Sequence, residues 1–207
     1  MEDYLRVEGI DPAAVDRFFY RKGLWRGETR VRMTDGTGRR LSFRKGYGLL
    51  QNLYVDCKRR CLSCPDHFAA GSDVSFGDAW LPELKGAPVK HSMAIAHTER
   101  GASAMDDLAR EGAVLSPVDP ALAVRAQKRA VIWHTYGAAG RARVGRLFGL
   151  SIPGGGELRP RWNDYLSACM ILAAWRAYGS AVRPFLLRLP WPVPYAYMLA
   201  QKFFLNF

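Results

Sequence analysis

Hydrophobic and polar positions change period several times along the chain, and each change marks an element. Asp11 and Pro12 place a capping acceptor ahead of a proline at the first helical position, which predicts a helix over about 12–20. Thr29–Met33 and Arg39–Phe43 flank Thr34, Asp35, Gly36, Thr37 and Gly38. This is a hairpin pattern, because the glycines supply the positive φ that a tight loop needs. Asp73–Trp80 reads as a strand running into a glycine turn, and His91–His97 as a second strand. A helix opened by Gly101 is expected over about 102–111, ending at Gly112. Val114 and Leu115 then begin a short strand that Pro117 closes.

Beyond that point the pattern is helical. Asp119 and Pro120 repeat the cap-and-proline start, with helix to about 135 and a second, basic helix over about 138–149. Ser151–Glu157 is a proline and glycine breaker. Trp162–Tyr178 forms an apolar-rich helix. Pro184–Phe207 is aromatic and carries only Arg188 and Lys202 as charges. Its uncharged runs are short and interrupted by Pro190, Pro192 and Pro194, which excludes a transmembrane span. The expected fold class is α+β. A small mixed sheet with a β-hairpin and a cysteine loop fills the N-terminal half, and the C-terminal half is mainly helical. Residues 1–150 read as one domain and 151–207 as an apolar helical extension.

Composition sharpens this in two ways. The chain has 207 residues, 49% of them hydrophobic, which is globular rather than disordered. Its net charge of +11 points to anionic partners. Residues 21–45 alone hold nine Lys and Arg against two acids. That stretch falls on a hairpin and loop without interleaved aromatics or a known reading module, which argues against nucleic acid. The polar, acidic start (Met1, Glu2, Asp3, Tyr4) lacks the pattern of an export signal, so a cytoplasmic protein is expected.

The chemistry concentrates in one segment. Cys57, Cys61 and Cys64 fall within eight residues, too crowded for a disulfide framework. Lys58, Arg59 and Arg60 are expected to favour their thiolates. Three readings stay open. A 4Fe-4S cluster takes four ligands, and the fourth could be Cys169, Asp66, His67 or a residue of another chain. Zinc could take the three cysteines with His67. The thiols could also be free. Cys169 lies among Ala168, Met170, Ile171 and Leu172 and reads as a core residue. His134 reads as a satisfied histidine on a helix face, His91 as a strand edge, and the six tryptophans as core and interface.

The spacing Cys-x₃-Cys-x₂-Cys is similar to that of radical S-adenosylmethionine enzymes, with Gly155, Gly156 and Glu157 echoing their Gly-Gly-Glu. Ser63 stands where those enzymes carry an aromatic, and the chain after Cys64 falls short of a barrel of about 200–250 residues. A second resemblance covers more. Cys61-x-x-Cys64-Pro65-Asp66, followed by Ser72-Asp73-Val74-Ser75-Phe76-Gly77-Asp78, resembles the C-terminal region of the coenzyme F420 hydrogenase/dehydrogenase beta-subunit family. Tyr20-Arg21-Lys22-Gly23, Gly27–Val31 with Asp35-Gly36, and Ile95–Gly101 are similar to further family segments, so the likeness spans about residues 5–135. His97 stands where the family tends to have Arg.

The resemblance implies a redox relay of flavin and iron–sulfur cluster. Cys57, Cys61 and Cys64 would be cluster ligands. Arg21, Lys22 and Lys45 would contact flavin phosphate, and Asp78 would hydrogen-bond a cofactor. FAD and coenzyme F420 are the implied flavin and deazaflavin, and a ferredoxin-like protein or another subunit the redox partner. Family members carry a further N-terminal portion with more cysteines and part of the flavin site, which upstream sequence or a partner would supply. The alternatives are a non-catalytic accessory protein that keeps the fold, or a zinc-stapled basic nucleic-acid binder. The C-terminal tail could also dock on a partner or touch a membrane surface peripherally.

Overall fold

The computed structural model describes residues 1–25, 27–43, 46–152 and 158–206. Helix α1 (Glu2–Val7) leads through a 3-10 turn at Pro12–Ala14 into strand β1 (Val15–Lys22). The helix expected over 12–20 is therefore a strand. Asp11 does cap, accepting from the Ala13 amide at 3.0 Å, but the cap serves a single turn. Immediately after that turn come Val15, Phe18, Phe19 and Tyr20, β-branched and aromatic residues that gain more by pairing on a sheet. They pair antiparallel with β2 (Glu28–Met33), with Phe18 opposite Val31. Strand β3 (Gly38–Leu41) completes the hairpin expected from sequence, and the strand order is β1-β2-β3.

Helix α2 (Tyr47–Asn52) precedes the cysteine loop, and the one-turn α3 (Arg59–Leu62) lies within it and carries Cys61. Strands β4 (Val74–Asp78) and β5 (Ser92–Ala96) form a second antiparallel pair, so the sheet structure comes as two small antiparallel pieces. Helix α4 (Glu99–Arg110) starts three residues earlier than its glycine suggested, because Thr98 is the cap and its Oγ1 accepts from the Gly101 amide at 3.1 Å. Gly101 is needed for a different reason. A Cβ there would overlap the Asp73 carbonyl oxygen, so only glycine lets α4 lie against the start of β4. The strand expected at Val114 and Leu115 is absent; the segment is irregular and Val114 is 95% exposed. With no burial and Pro117 nearby, nothing offsets the cost of ordering it as a strand.

The remaining helices are α5 (Pro120–Ala126), α6 (Lys128–Thr135), α7 (Gly137–Leu147), α8 (Trp162–Tyr178), α9 (Arg183–Leu187) and α10 (Pro192–Asn206). The boundaries of α8 are those read from sequence. Helix α7, the expected second, basic helix, is largely buried. Gly140 sits so close to the Asp164 backbone that a Cβ would crowd it at 3.1 Å, and this small-residue surface lets α8 approach closely. Pro192 and Pro194 do not interrupt the last helix but open it, where a missing N–H costs nothing. Leu62 is completely buried in the main core, with Trp133, Val144, Ile171, Leu172 and Leu205. The cysteine loop is therefore anchored in the C-terminal helices. No helix among the described residues is long and apolar enough to cross a membrane.

Candidate functional site: a cysteine loop clamped by helices

The backbone before the first cysteine is strained. Tyr54 and Asp56 adopt left-handed φ values of 59° and 63°, which costs a non-glycine residue about 1–3 kcal/mol. Two anchors hold it there. The Tyr54 ring stacks on Trp133 at 3.6 Å between centroids, with planes 8° apart. Enclosure of its phenol pushes Tyr54 up to about 12. Asp56 takes two hydrogen bonds from Arg183, at 2.7 and 2.9 Å, and these hold its carboxyl below the usual range. Arg183 also reaches Asp3 at 2.9 Å, so α1, the loop and α9 share one guanidinium.

Three loop carbonyls are then held by three side chains, each from a different helix. Trp175 on α8 donates its indole N–H to the Cys57 carbonyl at 2.7 Å. Arg141 on α7 donates its Nε–H to the Leu62 carbonyl and another N–H to the Trp133 carbonyl at 2.8 Å. His134 on α6 bonds through Nδ1 to the Cys64 carbonyl at 2.8 Å. Arg141 is 1% exposed, and its guanidinium carbon lies 3.4 Å from the Trp133 ring centroid. Among the described residues no carboxylate lies within ion-pair distance of it. Burial pulls it down to about 9, which still leaves it charged at neutral pH.

The Cys57 thiol responds to burial more than to the neighbouring cations. Cys57 is pushed up to about 11, by desolvation first and by the adjacent Cys61 thiol next. This reverses the expectation that Lys58, Arg59 and Arg60 would favour its thiolate. Those three side chains are exposed, and water screens their charge. Cys64 turns its thiol to the Asp66 carbonyl at 3.4 Å. Asp66 itself accepts from the Phe68 and Ala70 amides, at 3.0 and 2.9 Å, and so shapes the following turn. Cys169 packs on the edge of the main core. Three thiols on a clamped backbone suit a soft, thiolate-seeking centre in kind. They are not gathered on one point: among the described residues no three His, Cys, Asp or Glu side chains form a metal-holding group.

The histidines extend the site. His67 lies 5.2 Å from His134, ring to ring, and burial lowers both. Gln127 hydrogen-bonds His67 and donates to the Asp78 carbonyl at 2.5 Å, which connects the loop to the end of β4. There Arg21 gives one terminal nitrogen to both Asp78 oxygens, at 2.7 and 2.8 Å. Two residues expected to face a cofactor thus face each other. Beside them is a cavity of about 30 Å³ lined by Trp25, Trp80, Lys90 and His91. Lys22 lies apart from the pair, over the Phe19 ring at 4.9 Å. Lys45 and the Gly155, Gly156, Glu157 run lie outside the described residues.

Sequence reading missed Arg141, Trp175 and Gln127. The only advance signal for Arg141 was an arginine in a glycine and alanine run, where neighbours that small leave room for helix packing. Over residues 1–119 the chain matches the family described as the C terminus of the coenzyme F420 hydrogenase/dehydrogenase beta subunit. No curated protein and no solved structure matches it. Residues 57–67 and 78 fall inside the matched region, whereas Gln127, His134, Arg141 and Trp175 lie beyond it.

Proposed function

Because the chain belongs to the coenzyme F420 hydrogenase/dehydrogenase beta-subunit family, a family of redox enzyme subunits, we propose that it moves electrons between a flavin or deazaflavin and an iron–sulfur relay. Cys57, Cys61 and Cys64 would hold a 4Fe-4S cluster, with the fourth ligand from the chain or a partner. When bound, that group supplies single-electron transfer. The chain's own contribution is to fix the loop. Trp175, Arg141 and His134 hold its carbonyls, and Leu62 plugs it into the core. The clamp carries the reading, because a loop with no task at its thiols would not need three side-chain anchors, one of them the buried Arg141, and two left-handed residues.

Anaerobic purification with iron, sulfide and flavin analysis tests it. The expected product is brown, with iron and sulfide in stoichiometric amounts and visible absorbance that dithionite bleaches. A colourless anaerobic protein without iron or sulfide, or one with stoichiometric zinc, overturns it. A second reading has its own support. The Arg21–Asp78 pair occupies two residues assigned to a cofactor, which suits an accessory protein that keeps the cluster loop without a flavin. A protein with cluster but no FAD uptake, even beside a redox partner, selects that reading.

A further inference from the structure

Helix α10 carries apolar side chains on both faces. Its inward side carries Met198, Gln201 and Leu205, all buried. Its outward side carries Val193, Leu199 and Phe203, which are 53%, 49% and 56% exposed, with exposed Ala196 and Ala200 between them. The spacing 193, 196, 200, 203, with 199 beside it, is one continuous helical stripe. Trp191 stands exposed just before the same helix, and Phe185 is exposed on α9. The Asn163 side chain holds the Phe204 carbonyl at 3.0 Å, which brings the exposed Trp162 and Leu166 near its other end. A water-facing stripe of this kind marks a surface that something covers.

Charge narrows what covers it. Residues 165–207 hold no Asp or Glu. Of their four bases Arg183 is taken up by Asp3 and Asp56, and the other three are Arg176, Arg188 and Lys202. A second copy of a chain with net charge +11 would bring like charge to this face. The stripe itself is Val, Ala, Leu, Ala and Phe, without the Tyr, Trp and Arg tips that anchor protein interfaces. Apolar side chains on a segment without acids of its own, with Arg188 and Lys202 beside them and tryptophans at the border, match an anionic lipid surface. We propose that α10 seats the protein on anionic membranes in the plane of the interface. No helix among the described residues is long and apolar enough to cross a bilayer.

The test is co-sedimentation of the full chain with vesicles of phosphatidylcholine alone or with phosphatidylglycerol. Binding is expected to the anionic vesicles, and raised salt should weaken it. Leu199→Glu with Phe203→Glu should weaken binding at least about tenfold, with the circular dichroism spectrum retained. Ala196→Glu, a single change at an exposed position, should weaken it in the same direction. Equal binding of wild type and both variants overturns the proposal, as does the absence of binding to anionic vesicles. So does a dimer in sedimentation equilibrium that Leu199→Glu with Phe203→Glu abolishes, because the stripe would then be a self-interface. Iron content is unchanged in these variants, so this result is separable from that of the redox reading.

Discussion

Arg141 donates its Nε–H to the carbonyl oxygen of Leu62, from a helix outside the matched family region to the middle of the three-cysteine loop. A buried cation without a carboxylate partner costs free energy. It persists here because its flat, forked donors satisfy two carbonyls at once while its face covers Trp133. Arg141→Met leaves the Leu62 and Trp133 carbonyls unpaired, and about 1–3 kcal/mol of stability should be lost. Arg141→Lys should not restore it, since a point charge cannot reproduce the fork. Urea unfolding measures the loss. Limited trypsinolysis reads the loop directly, because Lys58, Arg59 and Arg60 are exposed and should be cut faster in the variant. Unchanged cleavage would remove the clamp from the account.

Leu62 is the apolar half of the same anchor. It is fully buried, so Leu62→Ala combines lost transfer energy with a cavity in the main core. A loss of about 2–5 kcal/mol is expected. Leu84→Ala, in a half-buried 3-10 turn (Pro82–Leu84) away from that core, is the comparison and should cost less. Equal losses would mean that Leu62 is not specially placed.

Alkaline stability depends on the groups that burial raises: the Tyr54 phenol and the Cys57 thiol, and the phenols of Tyr178 and Tyr197. Burial raises both Tyr178 and Tyr197 above the ordinary 10.0, and Tyr197 donates to the Met170 carbonyl at 2.7 Å. Above pH 10.0 the unfolded chain therefore loses protons that the folded chain keeps. Folding stability falls as pH rises from there until the folded phenols also ionise. Tyr197→Phe should flatten the slope above pH 10.0 relative to wild type in urea midpoints. A parallel slope would assign the alkaline loss to other groups.

The hairpin and α8 were legible because local signals and tertiary packing agree there: Asp35 and Gly36 demand a turn, and an apolar run of helical length has nowhere to go but the core. The segment after Asp11 was misread because a correct cap signal was outweighed by β pairing of Phe18 with Val31, a partner that local sequence does not reveal. The cysteine loop itself was plain in its spacing. Its supports were not, since Arg141 lies 79 and Trp175 lies 118 residues from the loop residues they hold. Long-range hydrogen bonds to carbonyls leave no pattern in a single chain, because every residue has a carbonyl to offer.

The Arg21–Asp78 pair decides between a flavin-binding protein and one that keeps only the cluster loop. Arg21 is mostly buried by Tyr20 and Trp80, while the Asp78 side chain is about half-exposed. A pair open to water on one side should couple by about 0.2–1 kcal/mol in a double-mutant cycle of Arg21→Gln and Asp78→Asn. That energy is small beside what a phosphate would gain from the same guanidinium in a fork-like contact. Asp78 therefore competes with any anionic cofactor for Arg21. In anaerobic FAD titrations Asp78→Asn should bind more tightly than wild type and Arg21→Gln more weakly. The opposite signs are the discriminating feature, because simple loosening of the fold would weaken both. If neither variant changes FAD uptake, the pair only joins the two sheets, and the accessory reading gains by that result.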